Sequence, residues 1–533
     1  MDGRTERRTV DGGVAATVNF PSLRPSVLNS FLRVIMSNTK WLLASATSAL
    51  LACSSAATAG RGDAAPDRMA RVINGLRPAV AIKGAPAVRW TLAERMAAHH
   101  VPGVSIAVID SGRIVWAKGF GVKEAGTADS VTPETLFQAA SISKPVTATA
   151  MLRLVEQGKL SLDENVNRYL KSWKLPENRY TARAKVTLRR IVSHNAGLTV
   201  HGFPGYAVGD TIPTVPQILD GERPANTAAV RVDTFPGAIS SYSGGGVTIE
   251  QLVLQDVTGK PFPALLKELV LDPAGMTRST YEQPLPGARR AEAASAHSSN
   301  GEVKKGKWHI YPEMAAAGLW TTPKDLAAWA LEIAAARAGR SSKVLSQAMA
   351  TRMLTAQKEP FGLGPALGGT GRGFHFGHGG SNEGFRCELI YFPEVGKGAA
   401  IMTNADDGSA VVSETFMALA AEYGWPDYGQ EERATVVLDP KALDALAGEY
   451  QAPDPNQPGA PPIPVLVTHE GERLFLEVRP YVPKHEIFPA SADSFFALTG
   501  AGMTFTRDAS GRGAALRLGG ITAKRKPASP SPR

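Results

Sequence analysis

Leu136-Phe-Gln-Ala-Ala-Ser141-Ile-Ser-Lys144-Pro145 is the stretch on which the reading of this chain turns. Residues 136–138 read as a short strand. Val146, Met151, Leu154 and Val155 then recur at helical spacing over 146–157, and Gly158 stops the run. If Ser141 opens that helix, Ser141 and Lys144 stand three apart on one face, so a hydroxyl and an ammonium can meet. Pro145 supports the placement, because proline is tolerated only in a first turn. The helix N-terminus favours developing negative charge, and Ala139, Ala140 and Ile142 are apolar neighbours that disfavour a protonated lysine. A neutral Lys144 can then take the proton of Ser141 and leave an activated nucleophile. Alone the Ser-x-x-Lys spacing carries little, since Ser37-Asn-Thr-Lys40 matches it equally well.

Working outward, residues 104–109 and 113–120 flank Asp110-Ser-Gly112 and read as a β-hairpin. Thr91 caps a short helix over 92–100 that Pro102-Gly103 ends. From 160 to about 340 the pattern is mostly helical, with helices expected over 249–258, 265–271 and 324–336. Strands return over 374–378, 385–392 and 399–402, followed by a helix over 411–423. Strands at both ends of one segment, with helices between, predict an α+β domain with a single sheet rather than βαβ winding. After Trp425-Pro426 the pattern changes to short strands with Gly/Asp/Ser turns, which predict a small β barrel or sandwich. The expected division is an N-terminal extension and export signal (1–59), a linker (60–89), the main domain (90–430), a C-terminal β domain (440–522) and a disordered tail (523–533).

Two further segments bear on chemistry. Ser240-Ser-Tyr242-Ser-Gly244-Gly-Gly246 reads as a loop before the 249–258 helix, with a tyrosine able to relay protons and glycines that allow close approach. Phe376-Gly-His378-Gly379-Gly380-Ser381-Asn-Glu-Gly384 lies on or just after a strand, with backbone N–H groups available to an oxyanion.

In this order the three segments resemble the serine β-lactamase and penicillin-binding-protein superfamily, nearest its class C-like group with the family VIII esterases and D-stereospecific peptidases. The resemblance spans roughly residues 90–425 and includes Ser193-His-Asn-Ala-Gly-Leu198, Leu271-Asp-Pro-Ala-Gly-Met-Thr277, Ala316-Ala-Gly-Leu-Trp-Thr-Thr-Pro323 and Met402-Thr-Asn404. It implies a β-lactamase/transpeptidase-like domain, antiparallel sheet flanked by helices plus a mainly helical subdomain, with a barrel-like appendage. It implies Ser141 as acylated nucleophile, Lys144 as base, Tyr242 as proton donor to the leaving group, His378 in place of the usual Lys-Thr-Gly lysine, and the N–H groups of Ser141 and Ser381 as oxyanion hole. Two departures stand out. Gly244 replaces an asparagine, so no amide reaches substrate or Lys144. His378 replaces a permanent cation with a group of ordinary pKa ~6.5. Both favour neutral esters or amides over penicillins. The expected function is an exported serine hydrolase cleaving small esters, amides or peptides. The alternatives are a β-lactamase or D-Ala-peptidase on cell-wall peptides, a penicillin-binding sensor that acylates without turnover, or a scaffold lipoprotein with a vestigial site.

No cofactor or metal is expected. His375 and His378, three apart on a strand, point to opposite faces, and two cysteines exclude a Cys-rich zinc site. His194 reads as a structural hydrogen-bonding residue, and Cys387, in an alternating strand, as a packed thiol. No Gly-x-Ser-x-Gly elbow is present, which argues against an α/β-hydrolase. The net charge of +9 sits at the ends, +3 in residues 1–40 and +6 in 510–533, leaving 41–509 formally neutral, so nucleic acid is not an expected partner. With 43% hydrophobic and 20% charged residues, the composition is that of a soluble enzyme. Lys40 and the apolar run 41–52 have the shape of a secretory signal, with Met36 a possible working start. Leu50-Leu-Ala-Cys53 resembles a lipoprotein box that would anchor Cys53 to a membrane, and Ala57-Thr-Ala59 offers ordinary cleavage instead. Oligomeric state is left open.

Overall fold

The computed structural model describes residues 65–453, 461–479 and 482–527. Cys53 and the whole 1–59 segment lie outside the described residues, as does most of the expected tail. Among the described residues no helix is long and apolar enough to cross a membrane.

The hairpin forms as Gly103–Asp110 and Arg113–Gly121, and joins strands from the far end of the domain. The sheet has six strands in the order Arg113–Gly121, Gly103–Asp110, Lys397–Thr403, Phe385–Phe392, His375–Asn382, Ala366–Gly368, all antiparallel. Alternation along Gly103–Asp110 shows why both faces are covered. Val104, Ile106 and Val108 join a core with Phe416 and Trp425, whereas Ala107 and Ile109 join one with Trp329 and Met151. The helix Gly408–Tyr423 supplies the first cover and Pro323–Arg337 part of the second. The helical block between Gln138 and Ala366 is inserted between the strands of one sheet, as the strand–helix–strand order predicted, and shares the core of Ala107 and Ile109.

The described part of the region read as a linker, residues 65–89, is structured. Ala65–Ile73 is a helix with Val72 buried against the Gly408–Tyr423 helix, fastened by Arg68 to Asp110 (3.2 Å) and Arg71 to Glu422 (2.8 Å). Val80–Ile82 pairs in parallel with Glu431–Arg433. The composition of this stretch is small and charged, but its few apolar residues are enough to dock it.

The C-terminal region is a closed barrel of eight antiparallel strands running from Gly448–Ala452 to Ile521–Arg525, which pair with each other. Val465, Val467, Leu474, Leu476, Met503, Phe505, Leu516 and Leu518 alternate inward to fill it. Three strands escaped the sequence pattern, Gly448–Ala452, where 444–450 reads as a short helix or turn, Val482–Pro489 and Ile521–Arg525. The last corrects the expected boundary at 522: Ala523 is fully buried and Arg525 donates to the carbonyls of Ala445 and Ala447 (both 2.9 Å). The closing strand holds by edge pairing rather than by apolar content, so its basic composition reads as a tail.

Candidate active site

Ser141 sits in a 3₁₀ turn, Ala140–Ile142, that feeds the helix Ser143–Glu156. The turn is anchored at both sides: Ala139 N–H donates to Leu319 O (2.8 Å) and Ile142 N–H to Ala139 O (3.0 Å). Ala140 takes φ +49°, a left-handed conformation costly for a residue with a Cβ, immediately before the serine. Ser143 Oγ donates to Ala140 O (2.5 Å) and accepts from Leu319 N–H (3.0 Å), which locks the turn from behind. Lys144, 4% exposed, donates from Nζ to Ser141 Oγ (2.9 Å) and to Ala316 O (2.8 Å).

Tyr242 faces the same lysine, whose Nζ lies 5.0 Å from the ring centroid. Its neighbours are His194 (4.3 Å between ring centroids), His378 (6.0 Å) and Phe361 (6.1 Å). Its backbone is clamped on both sides. Ser243 N–H donates to His194 Nδ1 (3.2 Å), so the neutral imidazole carries its proton at Nε2, and His201 Nδ1 meets Tyr242 O. His194 is thus a structural hydrogen-bonding residue, as expected, and Phe361 is a site residue that its isolated place in a Pro/Gly loop concealed.

Gly244, Gly245 and Gly246 are not a loop. They form the first turn of the helix Gly244–Thr258, where Ser243 Oγ caps Gly246 N–H (2.9 Å). The helix therefore starts five residues earlier than predicted. Gly244 is buried against Phe203, and a Cβ on Gly245 would lie 2.7 Å from Val230 and 2.9 Å from Thr199 O. Gly244 faces packing rather than an open cleft.

His378 lies within the strand His375–Asn382, 3% exposed, with Nδ1 2.6 Å from Gly379 O. Ala366–Gly368 pairs only as far as Gly377, so from His378 onward the outer edge of this strand has no strand neighbour among the described residues and runs beside the Ser141 turn. Gly380 is where the two meet: a Cβ there would stand 2.2 Å from Ala139 O and 2.5 Å from Cys387 Sγ. Cys387, buried and with its thiol pushed up by burial, donates to the same carbonyl at 3.1 Å. Asn382 then ties the strand to Gln138 (2.7 Å) and Ala317 O (3.0 Å), beside the carbonyl that holds Lys144. Ser141, Lys144, Tyr242 and His378 are brought together, with Gly379, Gly380 and Ser381 along one edge. His375 packs elsewhere, against Phe392 and Tyr428.

Two carboxyls behind the site were not anticipated. Glu250, on the Gly244–Thr258 helix, and Glu313, which precedes the single turn Met314–Ala317, are fully buried, with no hydrogen-bond partner for any carboxyl oxygen among the described residues. Burial pushes each up to about 8, so each is neutral at mildly acidic pH.

The sequence profile of the Beta-lactamase family matches residues 88–422. Penicillin-binding protein 4 of Amycolatopsis lactamdurans is 27% identical over 384 residues, 68% of this chain and 95% of that protein. Among solved structures, the octameric penicillin-binding protein homologue from Pyrococcus abyssi superposes with a TM-score of 0.57 at 22% identity, covering 82% of this chain and 97% of the other. The D-amino acid amidase from Ochrobactrum anthropi SV3 in complex with L-phenylalanine amide gives 0.51 at 22% identity, over 62% of this chain and 96% of the other. At those identities the two structures speak for the fold, and the profile for the kinship: this chain belongs to the beta-lactamase family, in the wider superfamily of serine β-lactamases and penicillin-binding proteins.

Proposed function

We propose that this protein is a serine hydrolase that cleaves small carboxylic esters or amides through an acyl-enzyme on Ser141. The observation that carries the reading is the 2.9 Å contact between Lys144 Nζ and Ser141 Oγ at the head of a buried helix. With its proton released, Nζ becomes the acceptor in that contact and draws the proton of Oγ as Oγ attacks the carbonyl carbon. The N–H groups of Ser141 and Ser381 receive the oxyanion. As the tetrahedral intermediate collapses, the bond from carbonyl carbon to leaving oxygen or nitrogen breaks, Tyr242 gives its proton to the leaving atom, and the Lys144 ammonium beside it passes the proton taken from Ser141 to the Tyr242 oxygen, so that both groups are reset for the second half. Water then repeats the sequence on the Ser141 ester, releasing the acid and restoring the serine. His378 supplies a hydrogen bond where a lysine would supply a fixed charge, which favours neutral ester or amide groups at the reacting centre.

A panel of short p-nitrophenyl esters, a D-alanyl anilide and a chromogenic cephalosporin, run beside Ser141→Ala, tests this. The expected result is turnover of the esters or the anilide above the cephalosporin, abolished in the variant. A single equivalent of product without turnover would instead favour a penicillin-binding sensor, the reading supported by likeness to penicillin-binding protein 4. The signal-like run 41–52 supports export. Loss from the membrane fraction in Cys53→Ser would identify a lipid anchor, and unchanged partition would favour cleavage near Ala59.

A further inference from the structure

The wall that carries Tyr242 continues outward into a surface of its own chemistry. Between Asp233 and Ser241 the chain runs back along the His194 segment, with Gly237 N–H donating to Asn195 O and Ser241 N–H to His194 O, both at 2.6 Å. From this stretch Phe235 and Ile239 project with 40% and 52% exposure. Phe235 meets Tyr180 edge to face at 5.0 Å. Cations border them. Arg183 lies 5.9 Å over Phe235, Arg179 4.7 Å over Tyr180, and Lys358 Nζ donates to Ala238 O at 3.2 Å. Among the described residues none of these three cations is held in an ion pair. Asp233 and Glu359, acids of the same two segments, are exposed and pair with none of them.

This surface is connected to the reacting groups through one tight turn. Phe361 N–H donates to Lys358 O and Gln357 N–H to Phe361 O, both at 2.9 Å. Lys358 on the rim and Phe361, whose ring faces His194, Tyr242 and His378, are therefore two ends of the same turn.

We infer that this rim is a subsite for the departing half of the substrate: an apolar chain that ends in a carboxylate set several bonds from the cleaved ester. The inference rests on the acyl-enzyme reading, in which Tyr242 protonates the leaving oxygen, so the alcohol leaves across the Tyr242 wall. The methylenes of such a chain cover Ile239 and Phe235, and its carboxylate meets Lys358 and Arg183, which have no carboxylate of their own. Positive charge, given up at His378, is supplied instead at a distance from the bond. Because Arg183 is exposed and Lys358 half-buried, each attraction is modest and sensitive to salt.

The test compares three butyryl esters in a pH-stat at low ionic strength: those of 6-hydroxyhexanoate, of its methyl ester, and of glycolate. The expected result is about fivefold higher kcat/KM for the long anion than for its methyl-capped form, expressed in KM. Glycolate, whose carboxylate is too near, gains nothing. Lys358→Glu combined with Arg183→Glu removes the preference while the methyl-capped ester stays within about twofold, which also shows that the variant is folded. Salt at 1 M removes it in the unmodified protein. Equal rates for the long anion and its methyl-capped form, or a preference that survives both charge reversals, would overturn the subsite alone. No turnover of either six-carbon ester would overturn the subsite, and if the p-nitrophenyl esters and the D-alanyl anilide are also left uncleaved the acyl-enzyme reading falls with it.

Discussion

Gly244-Gly-Gly246 and Gly379-Gly380 look alike as sequence, each a glycine run beside a residue of the candidate site, yet they are packed for different ends. The first turns into a helix start pressed by Val230, Thr199 O and Phe203. The second is a covered strand segment whose outer edge the carbonyl of Ala139, two residues before Ser141, rests against. A glycine run states that something passes close. Whether the neighbour is a packing side chain or the backbone of a reacting turn depends on the element that follows, and the two cases should separate as stability and rate.

The comparison breaks most sharply at Gly380. A Cβ there meets the carbonyl of Ala139 at 2.2 Å, backbone that cannot swing away, so Gly380→Ala has to move either the strand or the Ser141 turn and with it a proposed oxyanion donor. A fall in kcat of about 10²–10³ is expected, with burst amplitude and single-turnover rates as the measurement. Gly245→Ala gains about 1 kcal/mol of helix propensity but crowds Val230 and Thr199 O, an overpacking cost of about 1–3 kcal/mol. A lower Tm with kcat within about threefold is expected. If both substitutions cut kcat alike, the distinction between the two runs is wrong.

Cys387 sharpens the second half of the comparison. Cys387→Ser keeps a donor to Ala139 O and should retain most activity. Cys387→Val fills similar volume without one, and should lower kcat by about three- to tenfold at unchanged KM, read by steady-state kinetics beside thermal melts. Equal kinetics for the two variants would make the thiol mere filling.

The smallest effect belongs to the two buried carboxyls, Glu250 on the helix of the first run and Glu313 before the turn Met314–Ala317. Glu250 and Glu313 are raised from 4.5 to about 8, so the folded chain keeps two protons that the unfolded chain releases. The stability this supplies is full below pH 4.5 and is lost as pH rises through about 8. Carboxylates held low by arginines, Asp163 and Glu422 among them, act in the opposite sense at lower pH. Tm should therefore fall by several degrees between pH 5 and 8.5. Glu313→Gln should flatten the slope, and an unchanged profile in that variant would remove Glu313 from the account.

The hairpin, the helix after Ser141 and the strand Phe385–Phe392 were legible because apolar spacing there matches one element alone, and the three segments around Ser141, Tyr242 and His378 carry residue types that few other patterns combine. The barrel was legible as short strands but not as closed. Val482–Pro489 carries two prolines, two charged residues and a histidine, and Ile521–Arg525 is basic. Both owe their conformation to neighbours far along the chain. Phe361 and Glu313 were invisible for a related reason: neither belongs to a period, and each acquires meaning only when distant segments pack around it.

Because Gly448–Ala452 and Ile521–Arg525 are neighbours in the barrel wall, the entry and exit of that unit lie side by side. A module built this way behaves as a cassette. Cut free at residues 434–439 it should keep its ring of strand hydrogen bonds while giving up contacts that dock it, such as Val80 N–H on Leu498 O (3.0 Å) and Arg433 on Gly500 O (3.4 Å), and joining its two ends while opening a hairpin elsewhere should leave the wall unbroken.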